Sequence, residues 1–362
     1  MSAPRVLVSG VVLGQPAGGV RRHNQELLPR VARLLAAEGG SLAVLEGRER
    51  VPFDLGPDIE RLPSDVPAGP PIARAAAEGW ALRAAIEAAR RAGRPFDLVH
   101  TAHFPVPRSI PLRFTLTIHD LRALALSGAP LARRLVAAPV IGGAARRAAR
   151  VLTVSEWTAG EIARCLRVPD AVVIGNGGDH FAPLPRAPRP GAALVALGHL
   201  EPRKNLEVVI AALARDPALP DLELHGAAKP GEAERLSALA RKLGVAARVR
   251  FRGPFAEADL PRILCTCAAV VLPSRLEGFG IGVLEAQRAR APLAIADAGA
   301  LPEIAGPDAP RFPPDDALAC AAALQRALAL EPAAIERSAA RAACFTWERA
   351  AQRWCAAWRG SG

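Results

Sequence analysis

The stretch PLPRAPRPGAALVALGHLEPRKN, residues 183–205, decides the fold. Four prolines within residues 183–191 break any regular element, which places a linker there. An apolar run follows at 193–197, then a turn at Gly198, then helical text at 204–215. A strand, a loop and a helix restarting after a proline break mark the start of a second α/β domain.

The same alternation runs outward on both sides. Before the break, strands are expected at 5–12, 41–45, 97–100, 114–118, 151–154 and 171–174, with helices at 20–38, 72–92 and 131–150. After it, strands are expected at 193–197, 222–225, 249–252, 269–272 and 293–296. Helices fall at 204–215, 232–243, 257–265 and 281–290, and helical text fills 317–359. This pattern argues for parallel sheets covered on both faces. The expected fold class is α/β with two Rossmann-like domains, 1–185 and 186–345, and a C-terminal helix near 346–359 packing back on the first. Two such halves imply a cleft onto which the carboxyl ends of both sets of strands open.

Half the chain is apolar (51%) and 22% is charged, which suits 362 residues in two globular domains. The formal net charge is +11, with +7 up to residue 180 and +4 beyond. A basic first half attracts an anionic ligand, a nucleic acid or an anionic lipid surface; its bland alternative is a solvated arginine face. No basic aromatic module is visible, so a nucleic-acid partner is not expected. The six cysteines form no CxxC pair and no zinc-spaced cluster with histidine, so no metal is expected. The N-terminus, MSAPRVLVSG, enters a strand pattern directly, and no apolar run approaches the roughly 18 residues needed to span a bilayer. A cytoplasmic protein is expected, with contact to the inner face of the membrane left open.

Four loops carry candidate chemistry. SRLEGFGIGVLE, residues 274–285, places Glu277 and Glu285 around a glycine-rich turn that opens a helix at Ile281. Glycines before a helix N-terminus favour an anion, and the two carboxylates can accept hydrogen bonds from sugar or ribose hydroxyls. The bland alternative is a helix cap and a surface glutamate. A glycosidase pair is a poor fit: eight positions of helix span ~12 Å and turn ~80° off-face, and nothing aims both groups at one atom. In GHLEPRKN, Arg203 and Lys204 are expected at a helix start, where cations oppose the macrodipole unless an anion such as a diphosphate arrives. GQPAGGVRR, with Gly18 and Gly19, is a weaker phosphate-type loop that is neither GxGxxG nor a P-loop. His119, in IHDL, ends a strand and faces the expected cleft, or else caps or fills the core.

Together these segments resemble the retaining glycosyltransferases of family 4, which have the GT-B fold. PSRLEGFGIGVLEAQ is similar to that family's E-x7-E signature, and GHLEPRKNL to its donor loop. AGGV, IHDL, VSEWTAGEI, IGNGGD, PEIAG and FTWERAA follow in family order along nearly the whole chain. The resemblance implies a nucleotide-sugar donor, GDP- or UDP-linked, and no other cofactor. Glu277 would grip the sugar hydroxyls with the amides of Phe279, Gly280 and Ile281. Glu285 would bind the ribose, Arg203 and Lys204 the diphosphate, and Gly19 would admit the phosphates. His119 would lie beside the transferred sugar and Phe255 near the base. The implied enzyme is a metal-independent hexosyltransferase of mannose or glucose type, serving glycolipid or cell-envelope polysaccharide synthesis, with an anionic or lipid-linked acceptor as a hypothesis. The alternatives are an inactive partner module of the same fold and a sugar-nucleotide epimerase. A nicotinamide dehydrogenase is disfavoured, because no dinucleotide fingerprint is present. Three departures from the family pattern stand out: Arg290 at a turn that is usually small, a glycine within Asn176-Gly177-Gly178-Asp179 where an aliphatic residue is usual, and Ala298-Gly299-Ala300 in place of a Gly-Gly ending.

Overall fold

The computed structural model describes residues 3–15, 19–125 and 131–359. The chain forms two compact units: unit 1 is Met1–Asn176 with Trp347–Gly362, and unit 2 is Gly177–Thr346.

Unit 1 runs β1 (Arg5–Gly10), α1 (Gly19–Ala37), β2 (Ser41–Glu46), β3 (Ile59–Pro63), α2 (Pro71–Arg91), β4 (Leu98–Thr101), β5 (Phe114–Ile118), α3 (Arg122–Ala125), α4 (Leu131–Arg147), β6 (Arg150–Thr153), α5 (Glu156–Leu166) and β7 (Val172–Val173). Its strands are ordered β3-β2-β1-β4-β5-β6-β7 and every pairing is parallel. The central strands are buried along their length, as helices on both faces require, so they read as unbroken apolar runs. β3 escapes such a reading because it is an edge strand: only Ile59 is buried, while Glu60 and Arg61 are exposed.

Unit 2 runs β8 (Leu194–Leu197), α6 (Leu206–Arg215), β9 (Leu222–His225), α7 (Glu232–Lys242), β10 (Val249–Gly253), α8 (Leu260–Thr266), β11 (Ala269–Leu272), α9 (Ile281–Arg288), β12 (Leu293–Ala296), α10 (Leu301–Ala305), β13 (Arg311–Phe312), α11 (Ala317–Leu328) and α12 (Pro332–Ala343). Its sheet is again parallel, in the order β10-β9-β8-β11-β12-β13. The last helix, α13 (Trp347–Arg359), belongs to unit 1, where it lies along α1 and buries Trp347, Trp354 and Trp358.

The unit boundary precedes the proline-rich segment rather than lying within it. Residues 183–191 are pinned to unit 2. Arg186 donates from Nη2 to the carbonyl of Cys267 (2.7 Å), and the amide of Ala187 donates to Cys265 (2.9 Å). A guanidinium at the C-terminal end of α8 meets carbonyls that have no partner within the helix. Among the described residues no single helix is long and apolar enough to cross a membrane.

Candidate functional site

In unit 2 the strand order reverses between β8 and β11, and ligands of open α/β sheets bind at the carboxyl ends flanking such a point. Two loops emerge there, 198–205 after β8 and 273–280 after β11. Arg203, Lys204 and Glu277 all lie in them.

The β8 loop differs from its expected form. Pro202–Lys204 is a 3-10 turn, not the first turn of a helix; Asn205 follows in the left-handed region (φ 55°), and α6 begins at Leu206. Asparagine tolerates that conformation better than most residues. Its buried side chain donates to the carbonyls of Pro273 (3.0 Å) and Pro314 (2.6 Å), and the amide of Arg275 donates to Arg203 (3.0 Å), fastening the two loops together. The cations sit just ahead of α6, whose N-cap is Asn205, and they have anionic partners within the protein.

Those partners are two glutamates. Glu277 receives Lys204 Nζ (2.7 Å) and Ser274 Oγ (2.9 Å) on Oε1, and Arg203 Nη1 (2.9 Å) on Oε2. Arg203 Nη1 also donates to the Leu276 carbonyl (2.7 Å), while its Nη2 reaches Glu201 (2.8 Å), which pairs in turn with Lys229. Burial alone would raise the Glu277 pKa; Lys204 and Arg203 outweigh it and hold the carboxyl at about 2. The group is a fixed anion between two fixed cations. Ser274 and Glu201, which the sequence reading gave no role, hold that arrangement in place.

Glycines shape its backbone. Gly299 has φ +60°, and a Cβ there would lie 2.6 Å from the Glu277 carbonyl oxygen; the Ala300 amide donates to that oxygen (2.9 Å). Gly280 (φ +94°) precedes α9, leaving the first amides, of Ile281 and Gly282, without a carbonyl one helical turn back. Phe279 turns its ring inward onto Phe345, with centroids 6.2 Å apart. Glu285, one turn into α9, bonds Nε2 of the buried His180 (2.9 Å). Gly178 packs on the same helix: a Cβ there would lie 2.7 Å from Leu284 Cβ, so an aliphatic side chain has no room. Beside the ends of β9 and β10, His225 and Phe255 line a cavity of about 440 Å³ with Glu223 and Arg252.

The remaining candidates are in unit 1, whose own reversal lies between β1 and β4. His119 follows β5. Its ring meets His23 of α1 edge-on, 4.5 Å between centroids, and His23 Nδ1 bonds Asn176 Oδ1 (2.7 Å). His100 Nδ1 bonds Thr115 Oγ1 (2.8 Å), which also receives Trp358 Nε1 (3.0 Å). Burial, reinforced by the neighbouring imidazoles and, at His119, by Arg122, lowers His100 to about 3 and His119 to about 4, and carries His23 well below its ordinary value. Among the described residues, Nε2 of both His23 and His119 is enclosed without a hydrogen-bond partner. Gly19 is the first residue of α1, and a Cβ there would touch nothing among the described residues. Gly18 lies outside the described residues. No group of three or more His, Cys, Asp or Glu side chains suited to a metal occurs among the described residues.

This geometry, a doubly wound sheet in each unit with paired ions at the reversal point of the second, defines the class to which comparison with known proteins also leads. The model of glycosyltransferase family 4 matches residues 17–180, and that of glycosyl transferases group 1 matches residues 186–343. The chain belongs to family 4 of the glycosyltransferases and has the GT-B fold. Among curated relatives, the D-inositol 3-phosphate glycosyltransferase of Mycobacterium avium is 34% identical over 45% of this chain and 40% of its own length. The MMP alpha-(1->4)-mannosyltransferase of Mycolicibacterium hassiacum is 29% identical over 59% and 51%. The matched stretches thus span about half or less of these relatives. Among solved structures, sucrose-phosphate synthase from Thermosynechococcus elongatus superposes with a TM-score of 0.78 at 21% identity, covering 99% of this chain and 98% of that one. Anabaena HepE in complex with UDP-glucose gives 0.66 at 18%, covering 98% of each. At such identities the structures speak for the fold.

Proposed function

We infer that the protein is a retaining hexosyltransferase that takes a mannose- or glucose-type sugar from a GDP- or UDP-linked donor bound by unit 2. The observation that carries this reading is the Glu277 carboxylate held between Arg203 and Lys204 at the sheet's reversal point. A diphosphate entering there takes up the cations, and Glu277 turns its acceptor capacity to sugar hydroxyls. The amides of Phe279, Gly280 and Ile281 line the same turn, Glu285 binds the ribose, and Phe255 flanks the base.

In the reaction the bond between the anomeric carbon and the diphosphate oxygen breaks, and its electron pair leaves with the diphosphate. Arg203 and Lys204 stabilise that charge as it grows, which allows the step to run without a divalent metal. The acceptor oxygen bonds the anomeric carbon on the departing side and its proton passes to the leaving oxygen, so configuration is retained. The mannosyltransferase names among the relatives favour mannose. We place the enzyme in the cytoplasm, at the inner face of the membrane, with an anionic or lipid-linked acceptor for glycolipid or cell-envelope synthesis.

The test is slow donor hydrolysis without acceptor, across UDP- and GDP-hexoses, with and without EDTA. Release of one nucleotide, lost in Glu277→Ala and unaffected by EDTA, supports the reading. Silence from every donor together with no nucleotide binding sinks it.

A further inference from the structure

Helix α2 is amphipathic the wrong way round over its first three turns. The only charged residues there, Arg74 and Glu78, face inward and are 6% and 0% exposed. Arg74 Nη2 donates to the Phe104 carbonyl (2.6 Å), and Glu78 takes Ser9 Oγ (2.7 Å) and His103 Nε2 (2.8 Å). The large apolar residues face outward instead: Ile72 is 82% exposed and Trp80 75%. On a helical wheel Trp80 lies opposite the buried stripe of Ala75, Leu82 and Ile86, and Ala73 and Ala76 fill the outer face between Ile72 and Trp80. The preceding Gly69, Pro70 and Pro71 are exposed and uncharged as well. A solvent-facing helix would carry its charges on that side.

Beyond Trp80 the outer face changes character. Arg83, Arg90, Arg91 and Arg94 are exposed; Glu87 sits 4.0 Å from Arg91 and Glu60 4.0 Å from Arg94, so the arginines outnumber the acids beside them by two to one. The result is an uncharged tip about 12 Å long, from the rise of eight helical residues, followed by an arginine collar. Tryptophan and isoleucine beside arginines suit the boundary between acyl chains and anionic headgroups, where an apolar helix face sits about 5–10 Å deep. Near such a surface each added arginine strengthens attraction by charge.

We propose that the outer face of α2, with Ile72 and Trp80 as anchors and Arg83, Arg90, Arg91 and Arg94 as its basic collar, docks the protein on an anionic lipid surface. The surface gives the membrane placement above a physical basis, and it stands independently of the donor reading because docking needs no turnover.

The test is flotation of the full chain with vesicles of phosphatidylcholine alone or mixed with phosphatidylglycerol, at low and high salt. Wild type floats with the phosphatidylglycerol vesicles, and less so as salt rises. The Ile72→Ser/Trp80→Ser pair and the Arg90→Glu/Arg91→Glu pair each cut the bound fraction at least tenfold, with unchanged circular dichroism. Trp80→Phe still floats but loses the blue shift of tryptophan emission seen on wild type. Failure of wild type to float with either vesicle overturns the proposal, as does flotation of the Ile72→Ser/Trp80→Ser variant at the wild-type level. Sedimentation showing a wild-type dimer that the same variant dissociates also overturns it, because a second copy then covers the face.

Discussion

Near the reversal point of its sheet, unit 1 gathers neutral histidine rings beside the buried Glu78–His103 pair, whereas unit 2 gathers a glutamate between two cations. The order of the first six strands is the same in both sheets, unit 1 adding a seventh at its edge, so topology did not dictate the contents. In unit 1, His23, His100 and His119 sit among Trp354 and Trp358, with burial holding the imidazoles uncharged. In unit 2, Glu277 is mostly but not fully enclosed, its side chain 14% exposed, and Lys204 and Arg203 keep it ionised. Desolvation therefore wins where no counter-charge is supplied and loses where two are. A preset charge pair suits the handling of a diphosphate.

The largest effect expected from this contrast is on chemistry. Lys204→Ala should slow donor hydrolysis by about 10²–10³, the usual cost of removing one pre-placed charge stabiliser, whereas His119→Gln should slow it less. Comparable losses would erase the functional distinction between the two sites.

Acid should separate the units next. The three histidines have depressed pKa values, so the stability they contribute is full above about 6.5 and is lost as pH falls toward about 4 for His119 and about 3 for His100. The slope is about 1.4 kcal/mol per pH unit for each fully buried ring. Glu277, also depressed, contributes fully above 4.5 and loses its share only on the way to about 2. All five tryptophans are in unit 1, so their fluorescence reads that unit alone. It should change at a higher pH than the far-UV circular dichroism of the whole chain. Coincident transitions would show that the units do not differ in this way.

Backbone substitutions sharpen the unit 2 side. Gly299→Ala drives a Cβ against the Glu277 backbone at a positive φ, and should cost about 1–3 kcal/mol in thermal denaturation while lowering donor hydrolysis. The smallest effect is expected at Arg290, which holds φ 55° after α9 and pairs with Glu336 on the surface. Arg290→Gly relieves the left-handed strain and gives up an exposed ion pair, for a net gain of up to about 1 kcal/mol.

The unequal legibility of the molecule has the same physical root. Buried central strands such as β5 and β11 announce themselves as apolar runs, and Glu277, Arg203 and Lys204 lie in loops whose glycines and charges stand out from their surroundings. Edge strand β3, with Glu60 and Arg61 exposed, and the two-residue β13 do not, although edge strands β7 and β10 are legible at 171–174 and 249–252 through their valines and flanking turns. The 3-10 turn at Pro202–Lys204 was misread as a helix start because the cue that ends it, a left-handed Asn205, depends on carbonyls of Pro273 and Pro314 far along the chain. The mutual pairing of Glu277 with Lys204, and the support of Ser274 and Glu201, are likewise long-range facts. His23 and His100 were silent for a related reason: a histidine inside an apolar element carries no local sign of the rings it will meet.

The central claim is that Arg203 and Lys204 await a diphosphate while Glu277 awaits the sugar. Calorimetry of the bare nucleoside diphosphate and of its hexose conjugate, on wild type, Lys204→Ala and Glu277→Ala, tests it most directly. Lys204→Ala should weaken both ligands. Glu277→Ala should bind the bare diphosphate as well as wild type or better, since its cations are released, yet lose the added affinity conferred by the sugar. A folded Glu277→Ala protein that fails to bind the bare diphosphate, or that keeps the full increment for the sugar, would contradict the account.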